Sequence, residues 1–309
     1  MLQYPGAEAI IDIMGIRNNE KVLILSDKNV SAEAVTIVEK TFSDNGISAS
    51  INWDLPLEFC DEMPDGFGPI VQEFDVIILA ASQSWYHTNI RKKAKYEWEK
   101  RVAECYGLVK EGLFDGGLVA DYKQVIRKGE ELSAILKGEE LIRIVSEKGT
   151  DFTCSIMDVG FETGQYQTPG SGGNLPGGEA FIMPLPGSVN GRIVIDVSMD
   201  LYGSLYEDVL DIDMESGKVT NVFGSKSSIL QKIIQKDHRV THIAEIAFGT
   251  NSWSKLGRSI LEDEKKLGTA HVGFGNDTYM GGKNNGPHYD GIFLSPRVIL
   301  GKGKEFILS

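Results

Sequence analysis

Cysteine is scarce: Cys60, Cys105 and Cys154 are the three in a chain of 309 residues. They lie far apart, are odd in number and form no C-x-x-C pair. A disulfide framework and a structural zinc finger are therefore not expected. Basic residues are the minority, 31 Lys and Arg against 44 Asp and Glu, and the net charge of -13 repels phosphate backbones. Nucleic acid is accordingly not expected as a partner. No apolar run is long enough to span a bilayer. The opening MLQYPGAEAIIDIMGIRNNEKV lacks the basic start and apolar stretch of a signal peptide. These features predict a cytoplasmic protein with no membrane partner. Histidine is also rare, with five residues, so any clustering of histidines is informative.

What is present is ordinary for a globular protein. The hydrophobic share is 41% and the charged share 24%, which argues against disorder. The length exceeds what one hydrophobic core usually serves, so two domains are expected. In the first part, a short helix over Ala7–Met14 precedes KVLILSD, a continuous apolar run of the buried parallel-strand kind. Ser31–Ser43 then places Ala34, Val35, Val38 and Phe42 on one helical stripe, with Ser31 as N-cap. ISASINW and FDVIILAAS read as further strands, and Arg91–Val109 as a helix with one solvated face. This is the pattern of an open α/β sheet. Beyond about residue 128, short strands alternate with turns, as in GTDFTCSIM, GRIVIDVSM and VLDIDMESGKVTNVFG, and most of the 35 glycines fall here. That pattern predicts an antiparallel or mixed sheet. The expected organisation is an α/β fold class: an open α/β domain over 1–127, followed by an α+β domain over 128–309.

The segment from Glu245 to Asp290 is the densest in metal-capable groups and glycine. His288 and Asp290 form an H-x-D pair; in a strand, residues i and i+2 share a face, so both reach one ion. His271 lies in AHVGFG, whose small neighbours leave room for a site. Two histidines and a carboxylate suit a divalent metal. By spacing alone, an H-x-D pair is often just a surface strand, and a histidine such as His271 is more often a satisfied core residue than a ligand. Glu245 sits in an apolar run, where an ionised carboxylate is costly unless paired or metal-bound. Glu179, between glycines and prolines, reads on spacing alone as a turn residue. Glu262, Asp263 and Glu264 read as a solvated helix end, with Glu264 a candidate supporting group. His87, just after the third strand, falls where ligand-facing residues collect in α/β sheets; it reads equally as a helix-start histidine.

The stretches NLPGGEAFIMP, AEIAFGTN, DEKKLGTAHVGFG and GPHYD resemble the aminopeptidase T family, the M29 metallopeptidases, and within it the short leucyl-aminopeptidase-like branch. The resemblance implies two divalent ions, Zn, Co or Mn, held by Glu179, Glu245, His271, His288 and Asp290. It implies a catalytic tyrosine, for which Tyr279 is the nearest candidate and Tyr289 an alternative, although its place inside H-x-D should point it away from the ions. The sequence is also similar to the 2,5-dihydroxypyridine dioxygenases, in the His, His, Asp set and in an S-x-x-x-H-T context at Ser84, His87 and Thr88. That similarity implies one Fe(II) and an acid–base role for His87. The expectation is a metal-dependent aminopeptidase-like hydrolase with a peptide or small-molecule substrate, and a homodimer as its assembly. The alternatives are a mononuclear iron ring-cleaving dioxygenase and a non-catalytic small-molecule-binding relative.

Overall fold

The computed structural model describes residues 4–57, 66–200 and 202–308; Cys60 lies outside them. The chain divides into two compact units. The first comprises residues up to Lys123 together with Thr163–Gly177 and Ser252–Glu262; the second comprises Gln124–Glu162, Gly178–Asn251 and Asp263 onward. A single cut at Arg127 would fall inside a helix, Tyr122–Leu136, and has no counterpart for the two returning segments.

The first unit runs α1 (Pro5–Met14), β1 (Lys21–Ser26), α2 (Ala32–Asp44), β2 (Ser48–Asn52), α3 (Phe67–Gln72), β3 (Val76–Ala80), α4 (Asn89–Tyr96) and β4 (Arg101–Glu104). Its described strands form a parallel sheet in the order β2-β1-β3-β4, the open α/β arrangement expected. β1 and β3 are buried along nearly their whole length, which is why they read as unbroken apolar runs. Ser31 caps α2, its side chain accepting from Ala34 N at 3.3 Å. The helix expected over Arg91–Val109 is corrected: α4 stops at Tyr96 and β4 follows. β4 is buried at all four positions although charged at both ends. Arg101 is tolerated there because its guanidinium donates to the Met14 and Gly15 carbonyls at 2.7 Å and pairs with Glu20 at 2.6 Å.

The second unit begins within α5 (Tyr122–Leu136) and continues β5 (Leu141–Val145), β6 (Asp151–Glu162), β7 (Glu179–Pro184), β8 (Asn190–Ile195), β9 (Ser198–Met199), β10 (Gly203–Ser204), β11 (Leu210–Glu215), β12 (Lys218–Phe223), α6 (Ser227–Lys236), β13 (Ile243–Gly249), α7 (Ile260–Lys265, whose last residues belong here), β14 (Thr269–Gly275), β15 (His288–Leu294), β16 (Arg297–Leu300) and β17 (Glu305–Ile307). The strands pair antiparallel in the order β10-β9-β15-β14-β13-β7-β6-β5-β16-β17, with β8, β11 and β12 extending from β6. The adjacent strands β15, β14, β13 and β7 carry the site. One face of them, with Ile182, Ile246, Phe248, Val272, Phe274 and Phe293, enters the unit's main hydrophobic core. The other face carries the ionisable groups. Among the described residues, no helix is long and apolar enough to cross a membrane.

Candidate metal centre

Strand register builds the site. Glu245 on β13 lies opposite Gly273 on β14, which lies opposite Asp290 on β15. Two residues along β14, His271 shares that face, and Glu179 on β7 enters it opposite Gly249. His288 and Asp290 share the face by the two-residue period of β15. Gly273 is required by close approach: a Cβ there would stand 2.6 Å from His288 Cε1, 2.7 Å from its Nε2 and 2.9 Å from Glu245 Cγ. A missing side chain thus opens the cradle into which the flanking groups converge. Tyr289, between the two ligand candidates, packs instead against the core, away from the site as expected.

Glu245, His288 and Asp290 each offer a ligand atom within 4.8 Å of the others. His288 Nε2 lies 3.2 Å from Asp290 Oδ1 and 3.4 Å from Glu245 Oε1. His271 Nε2 lies 3.4 Å from Glu179 Oε2 and 4.0 Å from Glu245 Oε1. Ligands about 2.1 Å from a tetrahedral ion stand about 3.4 Å apart, so these separations suit donors around a shared cation. His288 Nδ1 donates to the Asn276 carbonyl at 2.9 Å. A carbonyl only accepts, so Nδ1 carries a proton and Nε2 is the atom turned to the two carboxylates. That is how a metal-binding histidine is normally held. A bare Nε2 lone pair facing two carboxylates is stable only with a proton or a metal ion between them. Asp290 is positioned in turn by its own N–H, which donates to Asp200 Oδ2 at 2.8 Å. Tyr279, on a short helical turn after β14, donates its hydroxyl to Glu245 Oε2, its ring edge-on to His288 with centroids 5.9 Å apart.

The electrostatics follow the same logic. Burial opposes every charge here, but Asp290 and then Glu245 hold His288 protonated well above the ordinary imidazole range. Burial would raise Glu245 and Asp290; the facing His288 outweighs it and leaves both low. Burial, with the Lys265 and His288 charges adding to it, presses His271 down to about 4, so it is a neutral imidazole with a lone pair to give. Among the described residues its Nδ1 finds no hydrogen-bond partner. Burial first, then the Glu245 charge, pushes Tyr279 well up, keeping the phenol protonated. The residues therefore fit a divalent ion: two imidazole nitrogens and carboxylates converge on one small volume.

All five expected ligands, and Tyr279, are brought together in the second unit. His87 lies in the first, immediately before the α4 N-cap Thr88, its ring 5.1 Å from that of Tyr86. Its loop is anchored by Glu104, which accepts from Ser84 Oγ at 2.8 Å and from Trp85 N.

The expectation for Glu262, Asp263 and Glu264 is overturned: all three are buried, at 2–3% exposure, and Lys265 at 1%. Glu262 accepts from Lys255 N at 2.8 Å and Gly117 N at 3.1 Å; Asp263 accepts from Ser198 Oγ at 2.7 Å. Lys265 reaches Glu179 Oε2 at 2.7 Å, Glu264 at 3.3 Å and Glu162 at 3.9 Å. Sequence reasoning missed Lys265.

A buried, carboxylate-rich cluster with inward histidines on an antiparallel sheet defines a candidate divalent-metal centre. The chain belongs to the M29 family of thermophilic metalloproteases, whose family model matches residues 82–288. Its fold is similar to that of 2,5-dihydroxypyridine dioxygenase from Pseudomonas putida KT2440, with a TM-score of 0.77, 17% identity, and coverage of 98% of this chain and 94% of that one. It is also similar to wild-type AmpT from Thermus thermophilus, with a TM-score of 0.68, 15% identity, and coverage of 99% and 96%. No curated protein matches at the sequence level.

Proposed function

We propose that the chain is a metal-dependent hydrolase of aminopeptidase type, acting on N-terminal residues of peptides or related small amides. The observation that carries this reading is the hydrogen bond from Tyr279 to Glu245 beside the Glu245, His288 and Asp290 cluster, in a chain of a metalloprotease family. A bound divalent ion would acidify water and polarise a substrate carbonyl. Glu245, His271, His288 and Asp290 would hold it, and the Asn276 carbonyl and Asp200 fix the orientation of their ligands. The Tyr279 hydroxyl is a donor poised inside the cluster. Turned from Glu245 to the substrate, it would stabilise negative charge growing on the carbonyl oxygen.

Tyr279→Phe is expected to lower hydrolysis of an aminoacyl anilide about 100-fold while metal content stays unchanged. Wild-type turnover in that variant would remove Tyr279 from the mechanism. Failure of metal-loaded wild type to hydrolyse any aminoacyl substrate would remove the hydrolase reading.

A mononuclear non-haem iron ring-cleaving dioxygenase is the second reading. One observation favours it: the Lys265 ammonium on Glu179 leaves Glu245, the two histidines and Asp290 as a set suited to one ion. Oxygen uptake by Fe(II)-loaded protein given a dihydroxypyridine, without aminoacyl hydrolysis, selects this reading.

A further inference from the structure

The ionisable face divides into two groups with different counter-charges. Glu245, Asp290 and His288 form one, mutually within reach of a single ion. Glu162, Glu179 and Glu264 form the other, and the side chain of Lys265 ends among them. Glu162 and Glu179 face each other directly across the β6–β7 pair, an arrangement that is destabilising for like charges unless a cation intervenes. Lys265 is 1% exposed, so the ammonium has no route to solvent and belongs to the packed interior.

We propose that Lys265 is a built-in cation of this centre, standing where a second divalent ion would bind Glu179, so that the centre takes one metal ion, held by Glu245, His288 and Asp290 with His271 beside them. The inference rests on the metal-centre reading above, not on the choice between hydrolysis and oxygen chemistry.

Two physical arguments carry it. The first is occupancy. A metal ion on Glu179 Oε2 would lie about 2.0–2.2 Å from that oxygen, in space already filled by an ammonium 2.7 Å away. The second is charge. A dication placed there would meet a fixed, desolvated positive charge at contact distance, where Coulomb repulsion is weakly screened. Glu179 is thereby the counter-charge of the ammonium. Its Oε2 lies 2.7 Å from the ammonium and 3.4 Å from His271 Nε2.

The test is metal stoichiometry. Protein stripped with chelator and reloaded with Mn(II) is desalted and measured by elemental analysis. One ion per chain is expected for the wild type, and one for Glu179→Gln. Lys265→Met, similar in length but uncharged, is expected to admit a second ion and raise the ratio towards two. Two ions on the wild type overturn the proposal and leave the metal centre standing; none overturns both. A folded Lys265→Met variant that still holds one ion shows that the lysine charge excludes nothing, and overturns it. If Lys265→Met does not fold, Glu179→Gln decides: an unchanged ion supports the proposal, and a lost ion makes Glu179 a ligand and ends it.

Discussion

The two faces of β7, β13, β14 and β15 are made from alternate residues of the same strands and are held together by different physics. On one face Ile246, Phe248, Val272 and Phe274 pack into a continuous core. On the other, His271 is as buried as the core, Glu179 and Glu245 are nearly so, and Asp290 is part-buried. The apolar face is stabilised by area removed from water, which is non-directional and forgiving of a change in side-chain identity if volume is kept. The ionisable face depends on matching each carboxylate to a cation, a proton or a donor at a defined distance. A defect in the first face should therefore appear as lost stability with function intact per folded molecule. A defect in the second should appear as lost metal binding with the fold intact.

Phe248→Ala is the sharpest test on the apolar side. Phe248 is fully buried, and truncation should cost about 3–5 kcal/mol of unfolding free energy, measured by denaturant titration. Metal content per folded chain should stay at the wild-type value; loss of metal along with stability would mean that the two faces are not separable. Gly273→Ala is the counterpart on the other side. The added methyl would meet the His288 ring and the Glu245 side chain, and is expected to weaken metal affinity by about 10–100-fold while the circular dichroism spectrum is retained. Unchanged affinity would show that the ring moves aside at no cost and that the cradle is not set by Gly273. Arg143→Ala lies on neither face. Its pair with Asp151 spans β5 and β6 at 2.6 Å but is about half exposed, so screening by water leaves it little net effect. Melting temperature and metal content should both match the wild type, and a large drop in either would mean that surface charge matters more than this comparison allows.

Much of the first unit is legible in the sequence because its rules are local. The β1 and β3 runs, the α2 stripe and the Ser31 cap follow from periodicity and side-chain chemistry. β4 does not, since a strand bounded by Arg101 and Glu104 looks solvated until the distant Gly15 and Glu20 are seen to satisfy it. In the second unit, β13 and β14 are buried at every position, so their sequences show no alternation to separate a core face from an ionisable one. Glu245 stood out as a carboxylate in an apolar run, and His288 and Asp290 through strand period. Lys265 and its acidic neighbours were illegible for the opposite reason. A charge run is ordinarily a solvated helix end, and here the partners that permit burial, Glu179, Glu162 and Ser198, lie far away in sequence. Long-range partnership decides such groups, and no local pattern reports it.

The central claim is that strands β13 and β15 build a divalent-metal centre around His288. The most direct measurement is the metal content of wild type and His288→Ala after identical loading with Mn(II) and desalting. The account predicts that wild type retains the ion and that His288→Ala, with an unchanged circular dichroism spectrum, does not, because one ligand lost from so small a set removes most of the affinity. Full metal occupancy in folded His288→Ala would contradict it.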